Sequence, residues 1–391
     1  MLAGFLGWTL DAFDYFLVVM CLTSIGREFH KTDKEMAVTL FVTLAFRPVG
    51  AFIFGLVADR YGRRLPLMLD LIFYSIVEVL SGLAPNYTVF LCLRALFGIG
   101  MGGEWGVGAS LAMEKVPVRL RGVLSGLLQQ GYACGYLLAA LCYFFLFNRV
   151  GWRPLFFLGG LPALLAVYVR FHVKESEVWE RTRQRSWRDL RATILSNWKV
   201  FLFIVALMTG MNLSSHGTQD MYPTFLERQW GFKPADRAVL TAFSMLGAIT
   251  GGTLVGLLSD WWGRRRAMVA SLLGAALVVP LWAFAPSLAL LWVGAFLMQF
   301  LVQGAWGVVP AHLSELSPDS VRGFIPGFGY QCGVLIAGSV GYLEAAFAGH
   351  IGYATAMATV AATVFLFAAG VAALGKERHG AVFGGATGHA E

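Results

Sequence analysis

Apolar residues run along the chain in long stretches, broken by short polar segments that hold most of the charge. A helix needs roughly 20 such residues to cross the hydrocarbon of a bilayer. Twelve spanning helices are predicted on this basis, over 2–25, 35–58, 66–83, 88–112, 123–147, 153–172, 199–225, 238–258, 268–285, 288–311, 324–347 and 352–374. The expected fold is an all-α membrane protein of twelve transmembrane helices in two pseudo-symmetric six-helix bundles. The first stretch carries Asp11 and Asp14 and no basic leader, so it reads as a retained span rather than a signal peptide.

The two bundles follow from an internal repeat. Asp59-Arg-Tyr-Gly-Arg-Arg64 matches Asp260-Trp-Trp-Gly-Arg-Arg265 at a spacing of 201 residues. Gly103-Glu-Trp-Gly106 matches Gly304-Ala-Trp-Gly307, and Glu114, Pro117, Arg121 and Gly122 match Glu315, Pro318, Arg322 and Gly323, all at the same spacing. Gly126 and Gln130 likewise find Gly327 and Gln331. One register held across so much chain means two copies of one unit. The expected domains are an N-terminal bundle over 1–173, a cytoplasmic linker over 174–198, a C-terminal bundle over 199–375 and a short tail over 376–391. Parallel six-helix repeats with a site between them near the bilayer midplane are a transporter architecture.

Composition narrows the function classes. Over 391 residues, 57% are hydrophobic and only 14% charged, against nearer a quarter in soluble domains. The net charge of +7 reads as topology and not as a nucleic-acid footprint. With the first helix running outward, most Lys and Arg fall on the side of the Asp59 and Asp260 loops, which places both termini in the cytoplasm of a multi-pass protein of the cell (inner) membrane. Five cysteines lie inside apolar runs without metal-ligand spacing. No cofactor, metal or nucleic-acid partner is expected, and no nucleophile–base pair suggests an enzyme. The expected partners are a small anion, a proton and the lipid bilayer, and the expected state is a monomer.

Residues kept in both halves serve the shared fold or its latches. Gly62 and Gly263 permit a tight turn between helices. Asp59 and Asp260 can accept from arginines or from a neighbouring helix N-terminus. With Arg63, Arg64, Arg121, Arg264, Arg265 and Arg322 they form a predicted cytoplasmic latch. Polar residues present in one half only are better candidates for chemistry. Arg47 stands opposite Ala248, Asp14 opposite Ser215, Glu104 opposite Ala305, His216 opposite Tyr15 and Asp220 opposite Val19.

A buried arginine in a span is costly and needs a partner, either an internal carboxylate (Asp11, Asp14 or Asp220) or the carboxylate of a substrate held by its planar fork. In the seventh span, Asn212, His216, Asp220 and Thr224 recur at i,i+4 steps on one face, and Gly210, Gly217 and Pro223 soften the helix. A carboxylate one turn from an imidazole can share a proton with it. Asp11, Glu104, Arg94, Gln130 and Gln331 are possible supporting residues, Arg94 equally readable as an ion-pair partner of Glu104, Glu78 or Asp70.

The doubled Asp-x-x-Gly-Arg-Arg loop resembles that of the major facilitator superfamily. Within it, Asn212-x-x-Ser215-His216-x-Thr218-Gln219-Asp220-x-x-x-Thr224 resembles the helix 7 signature of the lactate/pyruvate permeases of the sialate:proton symporter family. Leu10-Asp11-Ala-Phe-Asp14 and Gly102-Gly-Glu-Trp-Gly106 are similar to that family too. The resemblance implies proton-coupled uptake of short monocarboxylates, lactate or pyruvate favoured. Arg47 would engage the carboxylate, and Asn212, Ser215, His216 and Gln219 the rest of the substrate. His216 and Asp220, with Asp14 as a further candidate, would carry the proton. The alternatives are a sialic acid or other organic-acid symporter of the same family and, in another class, a proton-driven exporter of amphiphiles. The exporter predicts no essential central arginine.

Overall fold

The computed structural model describes residues 2–31, 33–182, 186–219 and 222–383, and every regular element among them is helical. The first half holds α1 (Leu2–Glu28), α2 (Asp33–Tyr61), α3 (Arg64–Gly82), α4 (Tyr87–Glu114), α5 (Arg121–Gln129), α6 (Gly131–Val150), α7 (Trp152–Leu158) and α8 (Pro162–His172). Two short linker helices follow, α9 (Glu177–Thr182) and α10 (Trp187–Ser196). The second half holds α11 (Trp198–Gln219), α12 (Tyr222–Trp230), α13 (Pro234–Trp262), α14 (Arg264–Ala283), α15 (Leu288–Leu316), α16 (Ile325–Ala337), α17 (Val340–Ile351) and α18 (Tyr353–Leu374).

Sixteen of these helices make twelve crossings, because three crossings are broken and a fourth is described in two pieces. The fifth crossing is α5 with α6, the sixth α7 with α8, the seventh α11 with α12 and the eleventh α16 with α17. Breaks fall where glycine or proline weakens the backbone ladder, before Pro162 and at Gly338. In the seventh crossing α11 ends at Gln219 and α12 starts at Tyr222, and residues 220 and 221 lie outside the described residues. Ten stretches among the described residues are long and apolar enough to span a membrane. The two crossings that fall short have visible causes: α4 is diluted by glycines and by Arg94 and Glu104, and the eleventh is split.

The helices meet in the same way in both halves. Gly50 of α2 packs on the carbonyl of Ile99 in α4, and Gly251 of α13 packs on the carbonyl of Phe300 in α15. A Cβ at either position would collide with backbone, so small residues set the helix separation. Large apolar side chains such as Phe145, Leu164, Phe171 and Leu277 stay exposed, Leu277 by 83%, because lipid covers them as well as protein does. Trp152, at a span end, is buried, with Nε1 donating to Glu28 at 2.6 Å. The linker is tied to the first half: Trp179 Nε1 donates to the Asp59 carbonyl at 2.8 Å, and Trp187 stacks edge-on against Tyr61.

Candidate functional site

A small cleft of about 30 Å³ lies between the halves, with room for two or three water-sized groups. Arg47 forms its first-half wall, and Asn212, Ser215, His216, Gln303 and Tyr330 are on the other side. Tyr15, Leu44, Tyr132 and His216 also line a vestibule of about 460 Å³ above the cleft. The vestibule lies away from the Asp59 loop, since α2 contributes Leu40 and Phe41 to it from near its start.

Arg47 is 4% exposed, and its Nε and Nη2 are buried without a hydrogen-bond partner. Its guanidinium lies 5.8 Å from the ring centre of Tyr330, which Trp105 and Trp306 flank with ring centres 4.7 and 5.7 Å away. Gly102 of α4 lets the two backbones close up at the Arg47 carbonyl, where a Cβ would clash. Asp11 and Glu104 feel the Arg47 charge, yet all four of their carboxylate oxygens are without hydrogen bonds. No carboxylate among the described residues pairs with Arg47. A cation held so, with donors unused, is the arrangement of a site waiting for an anion.

On α11 the signature divides by height. Asn212, Ser215 and His216 face the cleft, and Thr218 and Gln219 face the vestibule. Asn212 Nδ2 donates to the Met208 carbonyl at 2.7 Å. Asp220 lies outside the described residues, as does the Thr224 side chain. Two glutamines that the sequence reading passed over complete the wall from α15. Gln303 Nε2 donates to Ser215 Oγ at 3.2 Å, Gln219 Nε2 donates to Gln299 Oε1 at 2.9 Å, and Gln299 Nε2 donates to Thr218 Oγ1 at 3.3 Å. The repeat offset could have found both, since Gln299 and Gln303 stand opposite Gly98 and Gly102. Gln129 is a similar case: it lines the cleft and accepts from Trp105 Nε1 at 3.2 Å.

The other candidates fall elsewhere. Asp14 is fully buried beside Gly159 and Glu78 inside the first bundle, and its neighbour Tyr15 takes the cleft position. Asp11 is also fully buried, and Glu104 lies against Gly7 of α1. Gln130 presses on Gly252 of α13 at the interface between halves, while Gln331 is buried with both amide atoms unbonded. Neither lines the cleft. Arg94 pairs with Glu78 at 2.5 Å and donates to Ser81 Oγ. That pair is fully buried, so Glu78→Ala is expected to lower stability by about 3–5 kcal/mol by stranding the guanidinium. Thermal unfolding of purified protein in detergent checks this, and an unchanged midpoint would contradict a structural role.

At the loop end the halves are locked by two mirrored networks. Asp59 accepts from the backbone N–H groups of Gly323 (2.8 Å) and Phe324 (2.9 Å) and pairs with Arg63. Arg63 also donates to Glu114 (3.3 Å), which accepts from Arg322 of the second half (3.4 Å). In mirror image, Asp260 accepts from Gly122 (2.8 Å) and Val123 (3.1 Å), and Arg264 donates to Asp260 (2.8 Å) and Glu315 (3.1 Å). Arg121 crosses to Glu315 at 3.0 Å. Gly62 and Gly263 hold φ of +108° and +91°, left-handed values that favour glycine.

Two further carboxylates cap the helices that start there. Glu175 accepts from the N–H groups of Arg63 and Arg64, and Glu377 from those of Arg264 and Arg265. These caps are spaced 202 apart, one off the repeat register, which hides them in an ungapped comparison. Arg265 donates further to the Gly375 carbonyl at 3.2 Å. Not every contact is mirrored, as Arg322 pairs with Asp319 where the first half has Val118. The Ser125 hydroxyl of α5 donates to the Gly307 carbonyl (2.7 Å) and accepts from the Ala311 N–H (3.0 Å), standing inside the backbone ladder of α15 beside Pro310. The equivalent position in the second half is Pro326, which has no hydroxyl.

Two six-helix bundles with a polar cleft between them, locked together at the loop end, are the frame of a membrane transporter. The family model described as "Sugar (and other) transporter" matches residues 4–194 and 200–375, and the chain belongs to that family of the major facilitator superfamily. It is 27% identical over 415 residues to the "Carboxylic acid transporter protein homolog" of Saccharomyces cerevisiae, covering 96% of this chain and 67% of that one. It is 33% identical over 381 residues to the "Probable 4-methylmuconolactone transporter" of Cupriavidus pinatubonensis, covering 94% and 87%. The solved proton:xylose symporter superposes with a TM-score of 0.82 at 17% identity, over 98% of this chain and 96% of that one, which shows the shared fold.

Proposed function

We propose that the chain is a proton-coupled symporter of short monocarboxylates, with lactate or pyruvate favoured, working by alternating access. The observation that carries this reading is Arg47, whose unused Nε and Nη2 are buried at a polar cleft between the halves. A carboxylate fits that fork in bidentate fashion. The helix 7 signature and the carboxylic acid transporter named above support the same substrate class. In this reading the locked loops and both termini face the cytoplasm, and the structure is the outward-open state of a cell (inner) membrane protein. His216 and Asp220 carry the proton, and Asp14, away from the cleft, is the further candidate.

One proton entering with one monocarboxylate moves no net charge, so uptake is expected to ignore membrane potential. A difference of one pH unit is worth about 1.36 kcal/mol, or roughly tenfold accumulation. The test is labelled lactate uptake into proteoliposomes under a pH gradient, and separately under a potassium/valinomycin potential at equal pH. Accumulation driven by potential alone would overturn electroneutral symport, and no uptake of any short acid would overturn the substrate class.

A further inference from the structure

The last described residues pass from one half to the other on the locked face. After α18 the chain first stays with the second half. There the Gly375 carbonyl accepts from Arg265 Nη1 at 3.2 Å, and Glu377 accepts from the N–H groups of Arg264 and Arg265 at 3.2 and 2.9 Å. The chain then turns at Gly380, whose φ of +82° favours glycine, with the Ala381 N–H donating to the Arg378 carbonyl at 3.1 Å. Beyond the turn it lies on the first half. Gly380 comes up beside Val118, and Arg121 Nη1 donates to the Ala381 carbonyl at 2.9 Å.

Phe383 then sits between the halves. Its ring centre lies 3.8 Å from the guanidinium carbon of Arg121 and 3.7 Å from that of Arg322. At such distances both cations stack face-on. Two guanidiniums do not fit on one face of a phenyl ring, so the ring stands between them. One cation belongs to the first half and the other to the second, and each is 2% exposed. Facing each other directly, the two would repel. A ring between them replaces that repulsion with two attractions, because both its faces are electron-rich and burial strengthens each contact.

We infer that residues 375–383 form a strap across the locked end, pinned by Phe383 between Arg121 and Arg322, and that the strap must let go before the halves part there. This strap rests on the alternating-access reading above and adds a brake to it. Asp59 and Asp260 each belong to a bundle and leave their partners only when the bundles move. Phe383 lies outside every helix, so it can leave the interface while the bundles stay in place. A segment beyond the last span thereby sets how often the locked end opens.

The test replaces Phe383 in the full chain, held in lipid nanodiscs, and reads two quantities. Spin-label distances across the loop end give the ratio of open to closed molecules. The rate of trypsin cleavage after Arg378, an exposed residue of the strap, gives the freedom of the strap itself. Phe383→Ala is expected to raise both by about tenfold or more, the worth of a desolvated cation–π contact. Phe383→Leu, apolar but without a ring, is expected to behave like the alanine variant, and Phe383→Tyr like the wild type. An alanine variant as closed as the wild type, or a leucine variant that holds as well as phenylalanine, overturns the inference. Faster cleavage with unchanged distances overturns it too, since the strap then lies on the gate without holding it. If Asp59→Ala with Asp260→Ala opens the loop end and Phe383→Ala does not, only the strap falls. If neither opens it, alternating access at this end falls as well.

Discussion

Arg47→Ala is expected to abolish carboxylate binding, and Arg47→Lys to weaken it by a hundredfold or more although the charge is kept. Lysine offers a point charge where the cleft is built around a planar fork, so the paired hydrogen bonds from Nε and Nη2 are lost. Truncating one partner of a buried charge pair typically costs about 2–5 kcal/mol, which covers this range. The same substitution has an opposite effect on the empty protein. Two buried donors of Arg47 have no partner, and removing them relieves a desolvation penalty of about 1–3 kcal/mol. The unliganded Arg47→Ala protein is therefore expected to melt at a higher temperature than the wild type while binding nothing. Calorimetry and thermal unfolding on one preparation read both effects. Lactate affinity unchanged in Arg47→Ala would remove Arg47 from the site.

The second large effect is expected at the latches. Asp59 holds the N–H groups of Gly323 and Phe324 together with Arg63, and Asp260 holds those of Gly122 and Val123 together with Arg264. Replacing either aspartate by alanine takes one carboxylate from a buried arginine and orphans two helix-terminal donors, at a cost of about 3–5 kcal/mol to the locked state. Moving an equilibrium from 99:1 to 1:99 takes about 5.5 kcal/mol. One substitution is thus expected to produce a mixture, and Asp59→Ala with Asp260→Ala to invert the population and collapse transport. Spin-label distances across the loop end, in membranes, report the change directly. A double variant whose distances match the wild type would show that the latches do not hold this state.

The spans, the two-fold repeat and the latch loops were legible because each leaves a periodic or registered trace. Apolar length gives the crossings, and a spacing of 201 gives the halves. Broken crossings left a fainter trace, a lone proline or glycine such as Pro162 or Gly338, which weakens the backbone ladder without changing the apolar length. The site was half legible. Arg47 and the Asn212, Ser215 and His216 positions stood out as polar residues without a counterpart. Gln299 and Gln303 obeyed the same rule but were hidden in the most apolar surroundings of α15. Asp14 and Glu104 show the converse limit: a charge in a span announces itself, but the direction it points depends on helix rotation, which sequence does not record. Asp220 stays a sequence inference, outside the described residues.

The Ser125 hydroxyl gives α15 a role that neither half has alone. While the halves are locked, the Gly307 carbonyl and the Ala311 N–H are both bound to an atom of the other bundle. Once the bundles part at that end, Ser125 leaves with the first half, and buried backbone groups do not stay orphaned. Gly307 and Ala311 then keep only the partners that α15 itself supplies. Gln303, which lines the cleft, sits one turn earlier on the same helix. The tie at the locked end and one wall of the cleft are thus two turns of the same rod, and the first bundle holds it at the serine.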